Sequence, residues 1–251
     1  MKCAVISSGS KANCTYLENS NSAILIDCGL SAKQAVERMK SLGVDLKKLK
    51  GILVTHEHSD HTNGIPVLSR RLEIPVFTNL KNCKKINGVY AVEEFVTGED
   101  FEFENFAISP FSVVHDAKDP VGFAIKSEGV KFAQATDLGR VTNLVKLKLE
   151  NSNFLVVETN YDQQKLHNCE YPWELKQRIN SIHGHLSNED GALLVEEVNN
   201  SNLDYVVLGH LSENSNEPNL ALSAIDRVVR KKDFKSLICG SVYKSTPIYT
   251  I

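Results

Sequence analysis

The sequence predicts an α/β protein in which β-sheets form the centre and helices lie outside. Short apolar runs bounded by turn residues recur along the chain, as is typical of strands. Segments with helical spacing separate these runs near the start and throughout the second half. Strands that alternate with helices favour sheets covered by helices. The length of 251 residues suits one large domain or two small ones, and we predict one domain over 1–251.

The first quarter contains three predicted strands, a helix and a buried strand. The strands are "CAVIS", "TYLEN" and "AILID". The helix is "AKQAVERMKSLG", with Ser31 as its N-cap and Gly43 as its stop signal. The continuously apolar, β-branched run "GILVT" then predicts a buried strand.

The middle of the chain, Phe95 to Phe132, is rich in predicted strands, with hairpin turns at Asn105 and at "SEG". In the second half the strands "FLVVET", "DYVVLG" and "SLICG" alternate with four helices. These helices are "VTNLVKLKLEN", "PWELKQRINSI", "NEDGALLVEEVNNS" and "EPNLALSAIDRVVRKK". The interval Tyr161–Pro172 is predicted to be a surface loop, and Trp173 is expected to pack, with stacking against a base as the alternative.

The bulk composition limits the classes of function. The chain carries 28 basic and 31 acidic residues, so it lacks the global basic excess of many nucleic-acid binders. No apolar run reaches the roughly 20 residues of a membrane span, and we expect no membrane partner. Six cysteines without a C-x-x-C pair indicate reduced thiols and a cytoplasmic protein.

Several predicted strands end in a side chain that can bind a metal. Ligands gather at strand ends because the loops converge there while the sheet holds them rigidly. Five strand ends therefore predict a site at one edge of a sheet. The five residues are Asp27, His56, His115, Asp137 and His210.

The segment "THEHSDH" concentrates four potential metal ligands in six residues. His56 and His58 are two positions apart, so an extended backbone points both side chains the same way. Asp60 and His61 lie past a turn and can face a second position. The segment can therefore supply two adjacent metal ions, and its imidazoles and carboxylate suit zinc, manganese or iron.

These motifs resemble those of the metallo-β-lactamase-fold hydrolases. The landmarks "LIDCG", "THEHSDHTNG", "ATDLG" and "LGHLS" occur in the order of that family. The segments "SSGSKANCTYL", "HDAKDPVGFAI" and "GHLSNEDGALL" are similar to the YycJ/WalJ group of bacterial metallohydrolases. The N-terminal loop departs from the S-G-S-S-G-N pattern of the group, because it lacks the second glycine.

The resemblance implies a four-layer αβ/βα sandwich, with two central mixed β-sheets flanked by helices and a dinuclear site at one edge. One divalent metal would take His56, His58 and His115, and the other would take Asp60, His61 and His210. Asp137 would bridge them, and Asp27 would orient the histidine loop through hydrogen bonds. Zinc or manganese is the expected metal, and iron or magnesium would also fit.

The expected chemistry is hydrolysis of a phosphodiester by a metal-bridging hydroxide, with Asp60 also acting as a catalytic residue. The resemblance implies nucleic acid as the substrate, DNA in preference to RNA, and 5′-to-3′ exonuclease activity. A small-molecule phosphodiesterase or a thioester hydrolase is an alternative on the same fold. A non-catalytic regulatory or binding module is a second alternative.

Two polar segments are candidates for contact with substrate. The loop "SSGSKAN" places Ser8, Ser10, Lys11 and Asn13 where they could cradle a phosphate, although an ordinary polar turn has the same composition. The basic run "VVRKKDFK" could contact phosphates or could be a solvated helix end.

The tetrapeptide Gly-His-Leu-Ser occurs twice, around His185 and around His210. His210 follows an apolar strand, whereas His185 precedes a helix that Ser187 or Asn188 could cap. We therefore expect His210 to bind metal and His185 to contact substrate or protonate the leaving oxygen, the alternative being a structural loop histidine. Glu158 ends a buried strand, so its carboxylate should pair with a histidine or a backbone donor.

Overall fold

Two mixed β-sheets form the centre of the protein in a computed structural model that describes residues 1–83, 86–230 and 233–251. The first sheet has the order β14-β1-β2-β3-β4-β5-β6 and the second has the order β13-β12-β11-β10-β9-β8-β7. The strands are β1 (Lys2–Ser7), β2 (Cys14–Glu18), β3 (Ala23–Ile26), β4 (Leu49–Leu53), β5 (Pro75–Asn79), β6 (Ala91–Phe95), β7 (Phe101–Phe103), β8 (Phe106–Ser112), β9 (Val121–Ser127), β10 (Val130–Ala135), β11 (Phe154–Glu158), β12 (Tyr205–Gly209), β13 (Ser236–Cys239) and β14 (Tyr249–Thr250).

Each sheet has an antiparallel part and a parallel part. In the first sheet β1, β2 and β3 pair antiparallel, and β3 to β6 pair parallel. In the second sheet β7 to β10 pair antiparallel, and β10 to β13 pair parallel. Because parallel strands share a direction, their carboxyl ends deliver the following loops to one edge of each sheet.

The helices cover the outer face of each sheet. They are α1 (Ala32–Ser41), α2 (Ser59–Thr62), α3 (Ile65–Leu72), α4 (Leu80–Cys83), α5 (Asn143–Leu149), α6 (Gln163–Asn168), α7 (Trp173–Ile179), α8 (Asn188–Val198) and α9 (Pro218–Val228). Apolar residues of α1 and α3 pack on the first sheet, and those of α5, α8 and α9 pack on the second. The inner faces of the two sheets meet in an aromatic core that includes Phe106, Phe123, Phe132 and Phe154. The predicted four-layer sandwich is therefore confirmed.

Local signals located most predicted elements. Ser31 caps α1 by accepting a hydrogen bond from the Gln34 N–H, and Asn105 adopts a left-handed φ of 62° in the β7–β8 turn. Helix α3 and strands β5 and β6 were not predicted from the sequence. Two expectations were wrong: α6 interrupts the supposed loop Tyr161–Pro172, and Trp173 is 62% exposed because it begins α7 at the surface.

The basic run and the helices bear on the expected nucleic-acid and membrane partners. In the basic run of the sequence, Lys231 and Lys232 lie outside the described residues, whereas Arg227 and Lys235 form ion pairs with Glu189 and Asp204. Across the described ranges, no helix combines the length and the apolar character that a bilayer crossing requires.

Helix α5 offers a matched test of the outer layer. Leu149 is fully buried against the second sheet, whereas Leu147 in the same helix is 63% exposed. Leu149→Ala should lower the free energy of unfolding by about 2–5 kcal/mol because it leaves a cavity. Leu147→Ala should change it by less than about 0.5 kcal/mol. Urea unfolding measures both, and equal losses would contradict this packing.

Candidate metal centre

Three of the predicted site residues occupy a strained backbone conformation just after a strand. Asp27, Asp137 and His210 have φ values of 60°, 55° and 56°. This left-handed region is uncommon for residues other than glycine, although Asp and His enter it more readily than most. Strain of this kind persists where the surrounding structure imposes it, and it clusters at functional sites. Here it turns three side chains at the strand ends toward one place.

The histidine loop that follows β4 is held by the backbone of two neighbouring loops. The Asn13 N–H donates to the Asp60 carbonyl at 2.8 Å, and the Cys28 N–H donates to the His61 carbonyl at 2.8 Å. Gly29 lies so close that a Cβ there would stand 1.6 Å from the Asp60 carbonyl oxygen. The chain can pass this loop only because Gly29 has no side chain.

The structure brings the predicted ligands together in the two predicted groups. Potential ligand atoms in each group lie within 4.8 Å of one another. Asp137 lies between the groups, with Oδ2 3.1 Å from His61 Nε2 and Oδ1 3.6 Å from His115 Nε2. The groups are His56, His58 and His115, and Asp60, His61 and His210.

Hydrogen bonds on the outer side of the cluster fix three imidazole rings. His61 Nδ1 lies 2.8 Å from Asp27 Oδ2, and His115 Nδ1 lies 3.0 Å from the Gly184 carbonyl oxygen. His210 Nδ1 lies 2.9 Å from Glu158 Oε1. Each partner can accept a hydrogen bond from Nδ1, which leaves Nε2 as the nitrogen that faces the cluster. This arrangement is typical of metal-binding histidines.

The inward-facing atoms fit a cation. Asp27 holds Nδ1 of His61, and Nε2 of the same ring faces Asp137 Oδ2 at 3.1 Å. Asp137 Oδ2 and His210 Nε2 are buried and have no hydrogen-bond partner among the described residues. A divalent ion between these atoms would satisfy both. Nitrogen and carboxylate oxygen donors suit zinc or manganese.

Acidic neighbours favour positive charge on His61 and His210, whereas burial lowers the pKa values of His56 and His115. Burial alone would lower the pKa of His210, but Asp137, Asp60 and Glu158 outweigh burial and raise it to about 10. Burial likewise opposes protonation of His61, yet Asp137 and Asp27 hold its pKa well above the usual value. Protons and metal ions compete for the same electrons here, so the cluster attracts either.

Glu158 is the main anchor beneath the cluster. Its fully buried carboxylate accepts from Nδ1 of both His185 and His210 at 2.9 Å. Its second oxygen accepts from the N–H groups of Leu138 and Leu186 at 2.8 and 3.0 Å. Burial would raise the pKa of Glu158, but the two histidines and these bonds lower it to about 2. The expected pairing of Glu158 with a histidine is confirmed, and it involves both copies of the repeated tetrapeptide.

Each residue of the first Gly-His-Leu-Ser copy has a separate contact. The Gly184 carbonyl holds His115, and His185 and the Leu186 N–H bind Glu158. The Ser187 hydroxyl caps α8 by accepting from the Asp190 N–H, as predicted. His185 itself is partly exposed, with its ring centroid 5.0 Å from that of His115 and 5.1 Å from that of His210. The structure thus carries His185 to the rim of the cluster.

The predicted substrate loop is divided between the cluster and the surface. The Ser8 hydroxyl accepts from the His210 N–H at 2.8 Å, and Asn13 Nδ2 lies 3.0 Å from His61 Nε2. Ser10 is exposed, and the Lys11 ammonium pairs with the carboxylate of Glu213. Ser8 and Asn13 therefore lie against predicted ligands, whereas Ser10 and Lys11 face outward.

Two polar residues at the cluster were not identified from the sequence. Asp116 Oδ1 lies 3.1 Å from His115 Nε2, while its Oδ2 accepts from Arg178 Nε at 2.5 Å. Asn160 Nδ2 donates to the His210 carbonyl at 2.7 Å. Each lies within two positions of a residue that the sequence did identify. This adjacency in the sequence is the signal from which both could have been predicted.

Comparison with known proteins identifies the relatives of this chain. A family model described as a β-lactamase superfamily domain matches residues 22–210. The chain is 34% identical to a Bacillus anthracis protein named exodeoxyribonuclease YycJ, over 92% of this chain and 90% of that protein. It is 33% identical to exodeoxyribonuclease WalJ of Streptococcus pneumoniae, over 98% of this chain and 94% of that protein.

A solved structure supports the fold. The metallo-β-lactamase fold protein YhfI from Bacillus subtilis superposes with a TM-score of 0.75, over 99% of this chain and 98% of that one. Their sequence identity is 14%, so this likeness concerns the fold alone.

Asp27→Asn tests the outer hydrogen bonds. Because an amide can donate to His61 Nδ1 and reverse its tautomer, we expect metal affinity to fall roughly 10- to 100-fold. Metal competition with a chromogenic chelator measures the affinity. Asp204→Asn is the matched control, since Asp204 pairs with Lys235 just before β12, at the opposite end of that strand from His210. Unchanged affinity in Asp27→Asn would show that this hydrogen bond does not orient a ligand.

Proposed function

Because the chain belongs to the YycJ/WalJ group of the metallo-β-lactamase superfamily, and is a metal-dependent hydrolase, we propose that it is a dinuclear DNA exonuclease. It would act as a single domain over 1–251 and remove nucleotides in the 5′-to-3′ direction. The observation that carries the proposal is the arrangement of six histidine and aspartate ligands in two groups around Asp137.

DNA as the substrate is supported by the two relatives whose names state exodeoxyribonuclease activity and that match nearly full length. The carboxylate-containing donor set also suits ions that bind phosphate oxygens. A cytoplasmic location is supported by thiols that are free at Cys3, Cys14, Cys28, Cys169 and Cys239.

Metal ions would be held by the two ligand groups on either side of Asp137. When bound, such a pair lowers the pKa of a water and stabilises charge on the oxygens of a phosphodiester. Asp60 is the most exposed carboxylate among the ligands, with 21% of its side chain accessible. Its Oδ2, which faces Nε2 of His61 at 3.5 Å and of His210 at 3.6 Å, would hold the metal, and its other oxygen would accept a hydrogen bond from the attacking water and orient it toward phosphorus.

His185 would donate a proton to the leaving group. Glu158 holds its Nδ1, so Nε2 is the ring nitrogen left for the substrate. A proton on that atom would pass to the oxygen that departs when the P–O bond breaks. The same carboxylate holds the ligand His210, which would keep proton donor and metal site in a fixed relation.

The direct test uses DNA labelled at either end, in blunt, overhanging and single-stranded forms, with manganese, zinc or magnesium. We expect 5′-labelled DNA to release labelled mononucleotide first. Turnover of bis-p-nitrophenyl phosphate or a thioester, with every DNA and RNA form left intact, would instead favour a small-molecule hydrolase. Binding of metal without any turnover would favour a non-catalytic module.

His185→Ala separates the two histidines of the repeated tetrapeptide. Removing a proton donor should lower turnover on DNA by roughly 10²- to 10⁴-fold and leave metal content unchanged. Mass spectrometry of the metal and the end-label assay measure the two quantities. His183→Ala is the control, because His183 is an exposed histidine of the same loop. Loss of metal from His185→Ala would contradict this division of roles.

A further inference from the structure

A cavity of about 430 Å³ opens beside the candidate metal centre, within the size range of small-molecule sites. We call it the C-terminal cleft. Its walls come from the N-terminal loop, the loop after His210, the start of α9 and the segment after β13. The lining residues used below are Ser8, Leu211, Glu213, Glu217, Pro218 and the segment 240–243.

Two residues of the cleft contact the backbone of the predicted ligand His210, although no predicted ligand itself lines the cleft. Ser8 lines the cleft, and its hydroxyl accepts from the His210 N–H at 2.8 Å. Leu211, the residue after the ligand, forms part of the same wall. A molecule with one group at the metal centre could therefore place its neighbouring group in this cleft.

The outer wall of the cleft is fixed by hydrogen bonds to the first strand and first helix. Arg38 donates to the carbonyl oxygens of Val242 and Ile6 at 2.7 and 3.1 Å. The Ser8 N–H donates to the Ser241 carbonyl at 3.1 Å. Gly240 permits this approach, because a Cβ there would stand 2.7 Å from Ser8 Cβ. The cleft is thus preformed rather than assembled by a ligand.

The chemistry of the lining selects against phosphate. Leu211, Pro218 and Val242 supply apolar surface, while Glu213 and Glu217 contribute two carboxylates. The Lys11 ammonium, the nearest cation of the N-terminal loop, is paired with Glu213. Glu217 is likewise paired, with Lys165, and no described residue that lines the cleft is cationic, so the cleft offers an anionic group no free positive charge, whereas a flat neutral ring would gain apolar contact.

Tyr243 provides an aromatic face at the mouth of the cleft. Its side chain is 74% exposed, so the ring face is open to a ligand. Its hydroxyl donates to the carboxylate of Glu213, so the ring is held at the rim. An exposed, anchored aromatic ring beside a metal-hydrolase centre is the arrangement that base stacking requires.

We propose that the C-terminal cleft binds the nucleobase of the nucleotide next to the scissile phosphate, with the base stacked on Tyr243. The inference rests on the proposed nuclease function. Stacking accepts every base because each has a π-face, so the cleft would contribute affinity with little sequence preference. It would also position the end of the strand for cleavage.

Binding of 2-aminopurine deoxyriboside tests the cleft without metal or turnover, because stacking on an aromatic ring quenches its fluorescence. We expect wild-type protein to quench it at saturation, and Tyr243→Ala to bind about tenfold more weakly. Ser241→Phe should also weaken binding by filling the cavity. Tyr90→Ala, which removes a 56% exposed tyrosine before β6, is the matched control and should bind as wild type does.

Kinetics supply the second readout. For Tyr243→Ala, kcat/KM on a short single-stranded DNA should fall at least fivefold more than on bis-p-nitrophenyl phosphate, which has no base. Equal nucleoside binding in wild type, Tyr243→Ala and Ser241→Phe would overturn the subsite. Cleft-dependent nucleoside binding by a protein that degrades no nucleic acid would instead leave the subsite standing and overturn the nuclease function.

Discussion

The buried carboxylate of Asp137 is the constraint on which the rest of the site depends. Its oxygens lie within 3.6 Å of Nε2 atoms of three imidazoles, one from each of three different loops. Since Asp27, Gly184 and Glu158 hold the other nitrogen of those rings, Nε2 is the atom left to bind a cation. A buried arrangement of acceptors is stable only with positive charge among them. The fold thus favours the binding of cations around Asp137, where a metal-dependent hydrolase needs them.

Glu158 links the candidate metal centre to the proposed proton donor. One buried carboxylate fixes His210 within the ligand cluster and His185 at its open side. The repeated tetrapeptide therefore has two structural settings, a strand end and a loop before α8, joined by a single acceptor. The backbone also directs side chains to the site, because the residues that follow three strands adopt a left-handed φ and aim their side chains inward. Strand geometry and side-chain chemistry specify the site together.

The sandwich and the full grouping of the ligands were predicted from the resemblance of the motifs to the metallo-β-lactamase-fold hydrolases, whereas the strands that end in His or Asp predicted by themselves a site at one edge of a sheet. The sequence also predicted the Ser187 cap and the partner class of Glu158. It did not predict Asp116, whose contact with Arg178 joins positions 62 apart, nor the cavity that Tyr243 lines together with residues distant in the sequence. Such features depend on contacts between distant segments. The prediction that Trp173 packs was wrong for the same reason, since the exposure of Trp173 follows from the position of α7 at the surface.

The central claim is that Asp137 bridges two cations, each held by one of the two ligand groups. Crystals grown with manganese and measured at wavelengths on both sides of its absorption edge test this directly. The account predicts two anomalous peaks about 3.5–4 Å apart, one on each side of the Asp137 carboxylate. A single peak, or a pair of peaks that Asp137 does not separate, would contradict it.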